Sequence, residues 1–204
     1  MFIVEVESLM MLAELVEFIH QRNPNINDRI FHLNDGDNSQ VFRNAFGVDL
    51  DQTEHGAIFN RFATQHYQAG VGFVLPYKDQ VAIFIHPDAN EEIHLHEKLH
   101  FHFKMYQADR ERLLNAIGYL AAADYGIINN VLINSDRYQR GSERLAEEVI
   151  VKTLNMDFTH HRYLGEMMQK SSMLLAQKHL TKLLIHEQTP TWYEKLIMFF
   201  HSKR

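Results

Sequence analysis

The segment from Ile93 to Lys104 constrains the fold of this chain more than any other, because apolar and polar side chains alternate along it. Ile93, Leu95, Leu99, Phe101 and Phe103, continued by Met105, hold one parity, and His94, His96, Lys98, His100, His102 and Lys104 hold the other. Glu97 alone interrupts the apolar parity. At two residues per repeat all the apolar side chains fall on one face, whereas at 100° per residue they scatter around a whole helix. The spacing therefore predicts a β-strand with a histidine-rich polar face. On such a strand His96 and His100 share a face but sit about 13 Å apart, too far to hold one metal ion unless the chain turns at Glu97-Lys98.

The flanking sequence supports a sheet in the middle of the chain. Val71–Leu75 and Val81–Ile85, joined by a Pro76–Asp79 turn, read as a β-hairpin, and Pro87–Asn90 reads as a second turn. Residues 2–6 have the β propensity of a short N-terminal strand. Ser8 then caps a helix bearing Leu9, Leu12, Val16 and Ile19, which ends at Asn23-Pro24. Asn34–Asn38 is a turn by composition, and residues 53–68 are helical. Helical periodicity returns at Asp109, a predicted N-cap, and again at Ser142, over residues 162–186, and after Thr189-Pro190. These readings combine into an α+β fold: an antiparallel sheet of central hairpins packed with N-terminal and C-terminal helices. Residues 1–158 form the α+β domain, and 159–204 a C-terminal helical extension packed on it.

Composition narrows the function classes. With 46% hydrophobic and 23% charged residues in a chain of 204, a real core can form and intrinsic disorder is excluded. Lys and Arg number 20 against 26 Asp and Glu, so there is no basic excess to neutralise a nucleic-acid backbone. The absence of cysteine rules out disulfides, Cys-ligated zinc and a thiol nucleophile, and it fits a cytoplasmic protein. Glu5 and Glu7 stand where a signal peptide carries basic residues, and no apolar stretch has the length of a membrane span. Neither a G-x-S-x-G elbow nor a glycine-rich phosphate loop is present.

Fourteen histidines are the compositional oddity, and two of them complete His96-Glu97-Lys98-Leu99-His100, an H-E-x-x-H sequence. On a helix this spacing sets both imidazoles on one face to hold Zn²⁺, with the intervening glutamate as base towards water. Downstream, Glu143-Arg144-Leu145-Ala146-Glu147 resembles the E-x-x-A-E helix that follows H-E-x-x-H in gluzincins related to bacterial toxin proteases. The resemblance implies a zinc metallopeptidase with His96, His100 and Glu143 as ligands, Glu97 as catalytic base, Zn²⁺ as cofactor and Tyr138 as oxyanion partner. The two-residue period argues against it, as does Lys98, which places a cation between the ligands.

A second reading starts from charge. Residues 1–60 carry ten acids against three arginines, whereas residues 159–204 carry three glutamates against seven Lys and Arg. The basic end is also rich in methionine and aromatics, the residue types that supply adaptable and anchoring contact area. Trp192, Leu196, Phe199 and Phe200, with Met167 and Met168, are the candidate partner-binding residues. The order of hairpins and helix over residues 70–132 resembles that of acidic secretion chaperones and adaptors. That resemblance implies a non-enzymatic module without a cofactor, bound to another protein in a hetero-complex. An inhibitory protein of mobile-element type would read the same way. The sequence expectation thus sets a protein-binding adaptor first and a zinc metallopeptidase second, with neither nucleic acid nor a membrane span involved.

Overall fold

Strand β3, Gln80–Ile85, is buried on both sides along most of its length. It therefore divides the protein into two packed cores. The structure is a computed structural model that describes residues 2–50, 56–123, 143–155 and 166–185. Strand β2, Gly72–Tyr77, pairs antiparallel with β3 through a two-residue turn at Lys78-Asp79, where Lys78 takes φ 55°. This is the expected hairpin. Strand β1, Ile30–His32, adds to the other edge of β3 in parallel register, Ile30 opposite Ile83. The sheet order is β1-β3-β2 and the sheet is mixed, so the antiparallel expectation holds for the hairpin and not for β1.

Alternation along β3 sorts the layers. Ala82 and Phe84 belong to the core closed by helices α2, Ser39–Phe46, and α3, Gly56–Ala69. There the Phe84 ring stacks on Phe73 at 5.2 Å and meets Phe59 edge-on at 5.1 Å. Val81, Ile83 and Ile85 belong to the larger core, shared with α4, Glu91–Met105. Around α4 pack α1, Phe2–Arg22, α5, Gln107–Ala123, and α6, Glu143–Asn155. The last described helix, α7, Glu166–Ile185, packs on α1, α5 and α6 and contributes Leu180 and Leu184 to the same core. The fold is α+β, mostly helical with a small sheet. No described helix is long and apolar enough to cross a membrane.

Two sequence expectations are corrected. Residues 2–6 are not a strand but the opening turns of the 21-residue helix α1, whose Leu15 and Ile19 are fully buried. Local β propensity is a weak preference, and a long amphipathic helix overrides it. More consequentially, residues 93–104 are not a strand but lie within the 15-residue helix α4. Its apolar residues scatter around the circumference because the helix has packing partners around it: the hairpin on one side, and α1, α5 and α6 on others. A helix packed on several sides need not carry a single apolar stripe. The local signal for it is Asn90-Glu91-Glu92: the Asn90 side chain accepts a hydrogen bond from the Ile93 amide at 3.0 Å, and both glutamates lie in the positive first turn.

Smaller features also differ. The Asn34–Asn38 turn is held by its own side chains, with Asn38 donating to the Asn34 and Gly36 carbonyls and Asp37 accepting from Ser39. Asp109 does not cap a helix start. It is buried in the first turns of α5, where it pairs with the fully buried His102 at 2.9 Å and with Arg112 at 2.8 Å. Trp192, Leu196, Phe199, Phe200 and Tyr138 lie outside the described residues. Met167 and Met168 fall in the first turn of α7, and their side chains too lie outside the description.

Asn90→Ala should lower the unfolding free energy by about 1 kcal/mol, the value of one helix N-cap, while Asn90→Asp should leave it nearly unchanged. Denaturant unfolding of the two variants measures this. Equal midpoints would argue against the cap and hence against a helix beginning there.

Candidate metal centre

Within α4, His96 and His100 are four residues apart and so face the same way, with ring centroids 4.8 Å apart. That face is turned to α6. There Glu148, buried between Glu147 and Val149, brings its carboxylate to both rings. The Nε2 atoms of His96 and His100 are 3.2 Å apart. His100 Nε2 lies 3.2 Å from Glu148 Oε2, and His96 Nε2 lies 3.6 Å from Glu148 Oε1. Two zinc bonds of about 2.0–2.1 Å at the tetrahedral angle place their donors about 3.3–3.4 Å apart. The two histidine nitrogens already stand at about that separation, whereas Glu148 turns a different oxygen to each ring; with one donor atom from each side chain the three lie within 4.8 Å of one another, so an ion bound there would draw one carboxylate oxygen inward. Among the described residues, His96, His100 and Glu148 are the group whose donor atoms converge in this way.

The face opens on a cleft of about 720 Å³. Residues 71–76, the β2 edge, form one wall, and α4 and α6 form the other with His96, Glu97, His100 and Glu148. Glu97, next to His96 in sequence, is turned from the metal face towards β2 and is only 5% exposed. Its seat depends on Gly72: a Cβ there would lie 2.9 Å from the Glu97 Cγ and 2.9 Å from the Phe84 carbonyl oxygen. The close approach of β2 to α4 therefore requires glycine at this position. Phe62 and His66 of α3 extend the cleft beyond the edge strand, and Arg144 and Lys152 line its α6 side.

Charge in the cluster is tightly shared. The Glu147 carboxylate accepts from His100 Nδ1 at 2.8 Å, from Arg110 Nε at 2.5 Å and from Lys104 Nζ at 3.3 Å. Burial alone would raise the Glu147 pKa, but His100, Arg110 and Lys104 bring it down to about 2. Burial likewise would lower that of His100, yet its bonds to Glu147 and Glu148 hold it up to about 10, so the metal-free ring is an imidazolium. For Glu97, burial pushes the carboxyl up to about 7, with the His100 charge opposing and that of Glu148 adding. A carboxyl that titrates near neutrality in a cleft has the proton affinity a general base or acid needs.

These positions answer the sequence expectations residue by residue. His96, Glu97 and His100 sit together on one helix at the cleft. Lys98 does not approach the donors; it turns to α1, where its Nζ is 3.1 Å from His20 Nε2. The third converging carboxylate is that of Glu148. Glu143, expected from the resemblance, is the first residue of α6, and its side chain lies outside the described residues. Glu147 and Glu148 are legible in retrospect as two acids inside the apolar stripe of Leu145, Val149 and Ile150, where burial demands partners. The residues expected to anchor a partner protein are outside the described parts, so nothing in the cleft bears on them. No family model, no curated protein and no solved structure matches the chain.

Metal-free protein should lose stability from about pH 6.5 towards pH 10, whereas below 6.5 the histidines whose pKa burial lowers, His20, His94 and His102, oppose the loss. The His100 pKa is raised, so its stabilisation is complete below 6.5 and disappears as pH climbs to about 10. Glu97, also raised, adds a burial cost as pH passes from 4.5 to about 7. The lowered Glu147 pKa gives a contribution present above 4.5 that is lost as pH falls towards about 2. Thermal unfolding in chelator across this range measures the profile, and Glu97→Gln should flatten the part between 4.5 and 7. A midpoint that rises between pH 6.5 and 9 would contradict the assignment.

Proposed function

We propose that the chain is a zinc-dependent hydrolase that cleaves peptides, with His96, His100 and Glu148 as metal ligands and Glu97 as general base. The observation that carries the reading is the convergence of two histidine nitrogens 3.2 Å apart with the Glu148 carboxylate, one donor atom from each side chain lying within 4.8 Å of the others, at the wall of a cleft. Three protein ligands with a fourth position open to the cleft is the arrangement of a catalytic zinc, whereas structural zinc sites are closed by four protein ligands. A zinc ion held there supplies a Lewis acid that polarises a carbonyl and acidifies water. It would also take over the positive charge that the His100 imidazolium carries in the metal-free protein.

The chain's own groups supply the rest of the reaction. Glu97, held near neutrality by burial and lining the same cleft as the donors, accepts a proton from the attacking water and returns it to the departing amine. The peptide class follows from β2. Among the described strands it pairs only with β3, and its residues 72–76 line the cleft. An exposed edge presents alternating backbone donors and acceptors, and an extended peptide satisfies them by adding a strand. Such a peptide would run past Glu97 with its carbonyls within reach of the donor face. Phe62 and His66 at the far end offer apolar and aromatic surface for one of its side chains.

Protein purified without a histidine tag should take up one equivalent of zinc and cleave members of a mixed peptide library, read by mass spectrometry. His96→Ala, His100→Ala and Glu148→Ala should abolish stoichiometric binding, whereas Glu143→Ala should retain it. Glu97→Gln should keep the metal and lower kcat by about 10²–10⁴-fold. Zinc retained by Glu148→Ala but lost by Glu143→Ala would move the third ligand. A zinc-loaded protein that cleaves no peptide would remove the substrate class.

A further inference from the structure

We infer that Glu147 is a positioning residue that fixes the His100 ring so that Nε2, and not Nδ1, is offered to a metal. This inference rests on the zinc reading of the site. An imidazole has two chemically similar nitrogens, and a half-turn of the ring exchanges them; which one faces the metal is set by what holds the other. In this protein Nδ1 lies 2.8 Å from Glu147 Oε1, while Nε2 lies 3.2 Å from both the His96 Nε2 and the Glu148 Oε2. Consecutive residues of a helix project about 100° apart. The carboxylates of Glu147 and Glu148 accordingly reach the ring from its two sides, one at each nitrogen.

Glu147 is itself held. Its second oxygen receives Arg110 Nε from α5 and Lys104 Nζ from α4, and its side chain is 4% exposed. The carboxylate therefore cannot swing towards the donor face without breaking two charged contacts in a buried setting, and so it does not compete with Glu148 for the metal. Lys104 lies four residues after His100 on α4, and Arg110 comes from the next helix. The ring is thus fixed by three helices at once. The plain alternative is that Glu147 merely neutralises Arg110 and Lys104. The two roles differ in what they move: an ion pair alone affects stability, whereas a positioning residue also affects the metal.

Glu147→Gln keeps an oxygen that can accept from Nδ1 and removes the charge; Glu147→Ala removes both. Zinc affinity is measured by chelator competition on protein shown by circular dichroism to be folded. The Ala variant should bind about 10–100-fold more weakly, and the Gln variant should recover part of that loss. The visible spectrum of cobalt-substituted protein and the His100 Nδ1–H signal in ¹⁵N-labelled, zinc-loaded protein should change in the Ala variant. A folded Gln variant with wild-type affinity and spectrum, beside an Ala variant equally unchanged, would overturn the inference. Wild-type protein that takes up no zinc would overturn the zinc reading instead, and this inference would fall with it.

Discussion

The docking of α4 on α6 through His100 is the contact on which the candidate site depends. One imidazole lies between two consecutive glutamates, and the same carboxylates draw in Lys104, Arg110, His96 and Lys152. Buried charge of this density is costly unless each group is paired, and pairing here requires α4, α5 and α6 in one relative placement. A cluster that served stability alone would be replaceable by apolar side chains of similar volume, at no loss or even a gain. Three converging donor side chains, facing a cleft rather than sealed in the core, are what an apolar replacement would not provide.

The remaining architecture follows from how that helix is surrounded. With α4 enclosed by the hairpin and three helices, the histidine face can open only where a neighbour leaves space, and the space lies between the β2 edge and α6. Gly72 lets the edge strand approach closely enough to press on Glu97 and desolvate it. The aromatic core of Phe42, Phe59, Phe73 and Phe84 on the opposite face of the sheet holds β2 in place from behind. Thus the same hairpin that carries the strand proposed to bind a peptide also shifts the proton affinity of the group proposed to act on it.

Much of this was legible in the sequence where a single local rule decides. The hairpin at 71–85 follows from β-branched runs around a turn, and the helices described at Gly56–Ala69, Gln107–Ala123 and Glu143–Asn155 follow from 3.6-residue spacing. The failure at 93–104 has a physical cause. Periodicity reports how many sides of an element face solvent, and a helix buried on several sides carries no helical stripe, so an accidental two-residue alternation can outweigh it. The cap at Asn90 and the acids at Glu91 and Glu92 were the deciding evidence, and they describe the helix end rather than its face. Strand β1 is only three residues long, too short for alternation to register. For the site, the H-E-x-x-H spacing named three of the residues that line the cleft. The third donor could not be read from spacing alone, because Glu143, Glu147 and Glu148 all lie on one helix, and among the described residues it is the Glu148 carboxylate that converges on both rings.

The central claim is that His96, His100 and Glu148 form one metal site at the β2–α4–α6 cleft. Anomalous diffraction at the zinc edge, from crystals of the protein loaded with one equivalent of zinc, tests it most directly. The account predicts a single strong peak about 2.0–2.1 Å from the two Nε2 atoms and a Glu148 carboxylate oxygen, with the remaining coordination position directed into the cleft. A peak at any other residues, Glu143 included, or a site closed by a fourth protein ligand, would contradict it.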